Sequence, residues 1–186
     1  MSHQLILRQV NIAAPCGALD LSGIRPLATT AYSRRVRKAA LNPGIASFTL
    51  AAATTNRTAA CYQTETYTPG RADWPAGTWT VRLNIVVANF SLDWIETRIY
   101  AIDPACASIV EVGVATGNIS LGSAGVVSMN VDGAAVSPGA DAGYYIQIIV
   151  RNNHATMSQS ASITQDQFID APIDEAHYRP LMGVGE

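Results

Sequence analysis

The chain has 186 residues, of which 48% are hydrophobic and only 14% are charged. This length corresponds to one domain of ordinary size, which can bury a core without disulfides or bound metal. The hydrophobic content excludes a chain that is disordered over most of its length, and no apolar run approaches the roughly 20 residues that a membrane-spanning helix needs.

The first 45 residues form a basic segment without sustained periodicity. Residues 1–40 carry a net charge of +5, whereas the rest of the chain carries −7. Asn42-Pro43-Gly44 is a turn signal that ends this segment. We therefore predict an extended N-terminal arm over residues 1–45. Five of its side chains are candidates for ion pairs with an acidic partner surface: Arg25, Arg34, Arg35, Arg37 and Lys38.

From residue 46 the pattern changes to short segments in which apolar and polar residues alternate. The clearest runs from Thr78 to Val87, and its apolar residues are Trp79, Val81, Leu83 and Ile85, as in a half-buried strand. Turn signals such as Gly117-Asn118 separate eight or nine such segments, and none of them has a helical period over ten residues. We predict an all-β domain, an antiparallel β-sandwich of jelly-roll type, over residues 46–170.

The last residues, 171–186, are too polar and too short to form a core of their own. We predict that they form a short C-terminal tail. Apolar residues around the start of this tail are candidates for contacts with a neighbouring subunit: Phe168, Ile169, Pro172 and Ile173.

Patterns that carry catalysis or bind metal are missing from the sequence. It contains no Gly-x-Ser-x-Gly, no His-Glu-x-x-His, no phosphate-binding loop and no Cys-x-x-Cys pair. We therefore expect that the chain is not an enzyme and that it uses no cofactor and no metal. Asp93, Glu96 and Asp103 surround one predicted strand, and we expect them to be solvated, since carboxylates are rarely buried.

Two further binding functions are each suggested by a single feature of the sequence. Trp74 lies beside Pro75 in a predicted turn and is the aromatic residue that we expect to be exposed. It is a candidate for glycan contact, so a carbohydrate-binding module for host attachment is an alternative function. The basic run around Arg34 is a weaker candidate for nucleic acid, because the chain is acidic overall and only Tyr32 is interleaved with the run. We favour an acidic protein surface as its partner.

The stretch from Trp74 to Asn84, Trp-Pro-Ala-Gly-Thr-Trp-Thr-Val-Arg-Leu-Asn, resembles a pattern of structural proteins of tailed bacteriophages. In those proteins it begins a jelly-roll strand, and a segment similar to residues 167–173 ends the domain. The resemblance covers about residues 50–173. It implies a head-decoration (cement) protein that binds the major capsid protein or other virion proteins. A neck or tail accessory protein of the phage is the alternative within this class.

The resemblance also implies where and how the chain acts. We expect a structural protein of the virion, assembled in the host cytoplasm and without a membrane partner. We further expect a homo-oligomer, with a trimer favoured, because one arm per subunit can then reach the next subunit and many modest contacts add up.

Overall fold

The computed structural model describes the chain over residues 3–13, 32–37, 46–50, 54–63, 71–87, 92–103, 105, 107–121, 125–152, 156, 159–163 and 168–172. In strands β1 to β4 the description is of the backbone. Strands are the regular elements of this part of the chain, which includes no helix that could cross a membrane.

The described residues contain eleven β-strands, which confirms the predicted all-β class. The strands are β1 (His3–Ala13), β2 (Tyr32–Arg37), β3 (Ala46–Leu50), β4 (Thr54–Gln63), β5 (Gly77–Val87), β6 (Leu92–Ile102), β7 (Ile109–Leu121), β8 (Gly125–Gly133), β9 (Gly143–Asn152), β10 (Gln159–Ile163) and β11 (Phe168–Ala171).

Hydrogen bonds connect the strands in the order β3-β10-β5-β11-β1-β2-β4-β9-β6-β7, and β8 pairs with β5 outside this path. The described pairings are antiparallel, except that of β2 with β4. The Thr97 hydroxyl on β6 donates a buried hydrogen bond to the Met129 sulfur on β8. Side chains of the β5–β8 layer therefore face those of the β6–β9 layer, which is consistent with a β-sandwich. The jelly-roll connectivity stays a prediction.

The core lies between these two layers. The four apolar residues that the alternation assigns to one face of β5 are no more than 1% exposed, which confirms that assignment. They join one cluster with the inward residues of the facing and neighbouring strands: Ile95, Ile99, Val112, Val127, Met129, Val131, Ile146, Ile148 and Val150.

Strand β9 differs from β5 because it is buried on both faces. Ile146 and Ile148 lie in the main core, whereas Gln147 and Ile149 on the opposite face are no more than 2% exposed. Tyr145, also on that opposite face, joins a second small cluster with Tyr100 and Ile102 of β6. The β6–β9 layer is therefore shielded from water on its outer side as well.

The N-terminal residues described in the structure are strands and not the predicted arm, whereas residues 173–186 of the predicted tail lie outside the described residues. β1 pairs with β11 and β2, and β2 pairs with β4, so residues 3–13 and 32–37 are strands of the sheet. β11 pairs with β5 as well as with β1. A sandwich confined to residues 46–170 would lack the two strands that connect its layers. The physical reason is that pairing satisfies backbone N–H and C=O groups that a free extended segment leaves to water.

The consecutive strands β7 and β8 belong to different layers and come close together at one end. The Ala134 N–H donates to the Val112 carbonyl at 2.9 Å. A Cβ on Gly113 would lie 2.8 Å from the Asp132 carbonyl oxygen and 2.9 Å from Val131 Cγ1. Glycine is therefore the residue that fits this approach.

We predict that Gly113→Ala destabilises the protein by about 1–3 kcal/mol, because backbone atoms cannot move aside for the added methyl group as a flexible side chain would. Gly117→Ala on the same strand is the matched control, since its nearest neighbour, Ile95 Cγ2, is 4.0 Å away. The control is expected to leave stability unchanged or to raise it by about 0.5 kcal/mol. Urea unfolding measures both, and equal losses would contradict the close approach.

Candidate functional site

Side chains on the outward side of β5 and β8 form an exposed to half-buried surface, which we name the outer polar face. The residues alternate with the core residues of the same strands, so the pleat directs them away from the core. The register pairs the β5 residues from Gly77 to Ile85 with residues of β8. The pairs are Thr78–Asp132, Thr80–Asn130, Arg82–Ser128 and Asn84–Val126.

Hydrogen bonds across the two strands hold part of this face in place. The Thr78 hydroxyl donates to Asp132 Oδ1 at 2.9 Å, and the Thr80 hydroxyl donates to Asn130 Oδ1 at 3.0 Å. Val126, at the far end of the face, is 54% exposed. Short side chains that are already ordered lose little freedom when another surface covers them, so the face is suited to binding a partner closely.

A second feature is an ion-pair network on the outer side of β6. Arg98 Nε donates to the Glu96 carboxylate, and Arg98 Nη1 donates to Glu111 Oε2 on β7 at 3.3 Å. The Glu96 side chain is 7% exposed, whereas that of Glu111 is 43% exposed. The prediction that Glu96 is a solvated carboxylate is therefore wrong. The carboxylate is tolerated in this covered layer because a guanidinium lies against it.

The network fixes the charge of its members. Burial alone would lower the pKa of Arg98, but its hydrogen bond with Glu96, the nearby Tyr100 hydroxyl and the Glu96 charge raise this pKa above its ordinary value. Burial raises the pKa of the Tyr100 hydroxyl, and the nearby Arg98 offsets part of that rise. At neutral pH the guanidinium is therefore charged and the phenol is neutral.

Trp74 is not the exposed aromatic residue that the sequence predicts. It is 1% exposed, and its ring lies against Trp79 with 6.5 Å between the ring centroids. Its backbone N–H donates to the Val136 carbonyl at 2.8 Å, and its indole N–H donates to the Arg71 carbonyl at 3.1 Å. The turn beside Pro75 is folded against the segment that follows β8, so the ring closes the end of the core and offers no platform for a sugar.

The predicted N-terminal partner-binding residues are only partly within the described residues. Arg34, Arg35 and Arg37 lie on β2, where their backbone pairs with β1 and β4. They therefore belong to a strand of the sheet and not to a free arm. Arg25 and Lys38 lie outside the described residues.

The predicted C-terminal contact residues lie in the chain's own fold. Phe168 and Ile169 pair through their backbone with β5 and β1. Pro172 lies against β5, because a Cβ on Gly77 would be 2.6 Å from Pro172 Cβ. Their contact with a neighbouring subunit stays a prediction. Ile173 lies outside the described residues.

In the described part of the chain, carboxylates near the ends of strands accept hydrogen bonds that hold neighbouring segments in place. Asp103 accepts hydrogen bonds from the backbone N–H groups of Ala107 and Ser108, so it orders the turn between β6 and β7. Asp73 accepts a hydrogen bond from the Ser137 hydroxyl at 2.7 Å. Within this part no three His, Cys, Asp or Glu side chains are grouped so as to hold a metal ion.

Comparison with known proteins gives structural neighbours but no family. No protein-family model and no curated protein matches the chain. Two structures of a CocE/NonD family hydrolase, SACOL2612 of Staphylococcus aureus, align with TM-scores of 0.52 and 0.50 at 6% and 7% identity. Each alignment covers 75% of this chain and 34% of that one. An alpha-amino acid ester hydrolase aligns with a TM-score of 0.47 at 10% identity, over 62% of this chain and 25% of that one.

These neighbours contradict the prediction that the chain is not an enzyme. That prediction treated an all-β sandwich without recognisable motifs as non-catalytic, yet the folds similar to this one occur in hydrolases. The chain spans about a third of the length of the CocE/NonD hydrolase. At this level of identity the likeness concerns the fold alone and transfers no activity or catalytic residue.

We predict that Arg98→Met destabilises the protein by on the order of 3 kcal/mol, because it leaves the Glu96 carboxylate buried without its guanidinium. Glu111→Gln is the control, and as the more exposed partner it is expected to cost about 1 kcal/mol or less. The double variant Glu96→Gln/Arg98→Met is expected to recover part of the loss, since no buried charge remains. Urea unfolding at neutral pH measures the three, and equal costs for the two single variants would contradict this order.

The raised pKa of Tyr100 predicts an alkaline loss of stability. The folded state holds the phenolic proton more tightly than the unfolded chain, whose tyrosine pKa is about 10. This contribution is complete below that value and is lost as pH rises through the raised pKa of the folded state. Tyr100→Phe is expected to remove this part of the alkaline decrease. Unfolding free energies at about pH 9 and pH 11 compare the two proteins, and parallel decreases would argue against burial as the cause.

Proposed function

We propose that this chain is a protein-binding component of a larger assembly and that it docks on its partner with the outer polar face. We further propose that the assembly is a tailed-phage particle, in which the chain decorates the head. A neck or tail position is the alternative within the same proposal.

The single observation that carries the docking role is the makeup of the outer polar face. Of its paired residues only Arg82 and Asp132 are charged, and charged residues are depleted at the centre of protein interfaces. Thr78 and Thr80 are held by cross-strand hydrogen bonds, so binding costs little side-chain entropy. Val126 is exposed, so a partner that covers it removes apolar surface from water, which favours binding.

The place in a virion is supported only by the sequence resemblance, which is carried by the stretch from Trp74 to Asn84 and by residues 167–173. In the fold this stretch begins β5, with Trp74 and Trp79 in the core and Thr78, Thr80 and Arg82 on the outer polar face. The carbohydrate-binding alternative depended on Trp74 as a platform, and the buried position of that ring removes its support.

The virion role is tested by the copy number of the chain in particles purified from the producing cells. Quantitative mass spectrometry measures it against the major capsid protein. Near-equal abundance supports head decoration, and a small multiple of the portal count supports the neck or tail position. Absence of the chain from the particles would overturn the virion role.

We predict that Ser128→Tyr abolishes binding to particles that lack the chain, because a large side chain at the centre of the outer polar face prevents close approach. Ser128 is exposed, so the fold should tolerate the change. Ala107→Tyr, at an exposed turn between β6 and β7, is the matched control and should bind as the wild type does. Co-sedimentation with the particles measures both. Unchanged binding of the Ser128 variant would exclude this face as the docking surface.

A further inference from the structure

Strand β7 is a long strand at the edge of the β6–β9 layer. It spans 13 residues, and within the described part of the chain it pairs with β6 and with no second strand. An edge strand leaves alternate backbone N–H and C=O groups without a partner in the sheet, so it can accept a further strand. The strand at the other end of the order, β3, has only 5 residues, and a short edge limits such pairing.

One part of this edge is closed by the chain itself, and the next part is not. The Val112 carbonyl accepts a hydrogen bond from the Ala134 N–H at 2.9 Å. The register with β6 shifts beside Val112 and again between Asn118 and Leu121. Between the two shifts, residues 114–118 pair regularly with β6, and no described residue outside β6 bonds to their backbone. We name this segment the β7 edge (residues 114–118).

The β7 edge lacks the charged side chains and the proline that commonly protect an exposed edge from pairing. From residue 114 to residue 131, which includes most of β8, the chain has no Asp, Glu, Lys, Arg, His or Pro. Val114 is 43% exposed, and Thr116 is exposed as well. An exposed edge of small and β-branched residues without charge fits another uncharged β-strand.

We propose that the β7 edge pairs antiparallel with the same edge of a second copy of this chain, so that two β6–β9 layers join into one sheet. An identical strand that runs in the opposite direction presents N–H groups to C=O groups and the reverse, so the edge complements itself about a two-fold axis. The segment is centred on Thr116, and the axis passes there. Residue 114 of one copy then lies opposite residue 118 of the other. This inference depends neither on the outer polar face nor on a virion.

The positions of the charges favour a second copy as the occupant. With the axis at Thr116, Glu111 of one copy lies near residue 121 of the other, ten positions from the second Glu111. At about 3.4 Å per residue the two carboxylates are about 34 Å apart, well beyond the Debye length of about 8 Å at physiological salt. The two Thr116 side chains face each other, and Thr–Thr pairs across antiparallel strands are favourable. This symmetry gives a dimer, in contrast to the trimer that the sequence resemblance implies.

The first test is the mass of the wild-type protein by size-exclusion chromatography with light scattering at about 5 µM and about 200 µM. Because the paired segment is short, we expect a weak dimer whose proportion rises with concentration. Salt at about 0.5 M NaCl is expected to leave the dimer intact, since backbone hydrogen bonds and not ion pairs hold it. A monomer at the higher concentration, a trimer, or a dimer that dissociates in salt would overturn the proposal.

The second test changes the residue on the proposed axis. Thr116→Lys is expected to be monomeric at both concentrations, because it puts two ammonium groups directly opposite each other. Thr116 is exposed, and its neighbour on β6 is Glu96, so the fold should tolerate a cation there. Thr116→Val keeps a β-branched, uncharged side chain and is expected to dimerise as the wild type does. Dimers of the Lys variant at the wild-type level would contradict the proposed axis.

A charge control and a local measurement separate this contact from other modes of association. Ala107→Lys adds the same charge at an exposed turn and is expected to dimerise as the wild type does. Hydrogen exchange of the wild-type protein locates the contact and requires no variant to fold. Peptides that cover residues 114–118 are expected to exchange several-fold more slowly at the higher concentration, whereas β3 is expected to be unchanged. Concentration-dependent protection elsewhere but not in residues 114–118 would exclude the β7 edge as the contact.

Discussion

The pleat of β5 is the constraint from which the arrangement of the rest follows. Burial of Trp79, Val81, Leu83 and Ile85 fixes one face of this strand against the facing layer. The residues between them must then point outward, where β8 pairs with them in register. A shift of one residue would put the polar set in the core, so the same hydrophobic free energy that holds the sandwich together also specifies the outer polar face.

The second layer is organised differently because it is covered on both sides. In β9 both faces are buried, and in β6 a carboxylate lies in the covered face beside a guanidinium. Removing one of two buried partners costs more than replacing both, so Arg98 and Glu96 depend on each other. At Gly113 the strands β7 and β8, which belong to different layers, lie close together, because glycine has no side chain that would collide with β8.

The likeness to hydrolases concerns the fold, whereas the proposed docking role concerns side chains at the surface. A sandwich of this kind is shared by proteins with different activities, so function must be argued from side chains at the surface. Among the described side chains, the surface offers an ordered polar face with little charge, which is suited to close contact with another protein.

The sequence by itself determined the all-β class and the inward face of β5, because a period of two is a local property of the chain. It also determined the charge asymmetry between the first 40 residues and the rest. The sequence pattern predicted a turn at Gly117-Asn118, but both residues lie inside β7 and pair with β6. Pairing with the neighbouring strand satisfies their backbone groups, so the local turn preference does not decide the structure there. Only the tertiary structure decided that Trp74 and Glu96 are buried and that β1, β2 and β11 join the sheet. Each of these depends on contacts between residues far apart in the chain, which no local pattern contains.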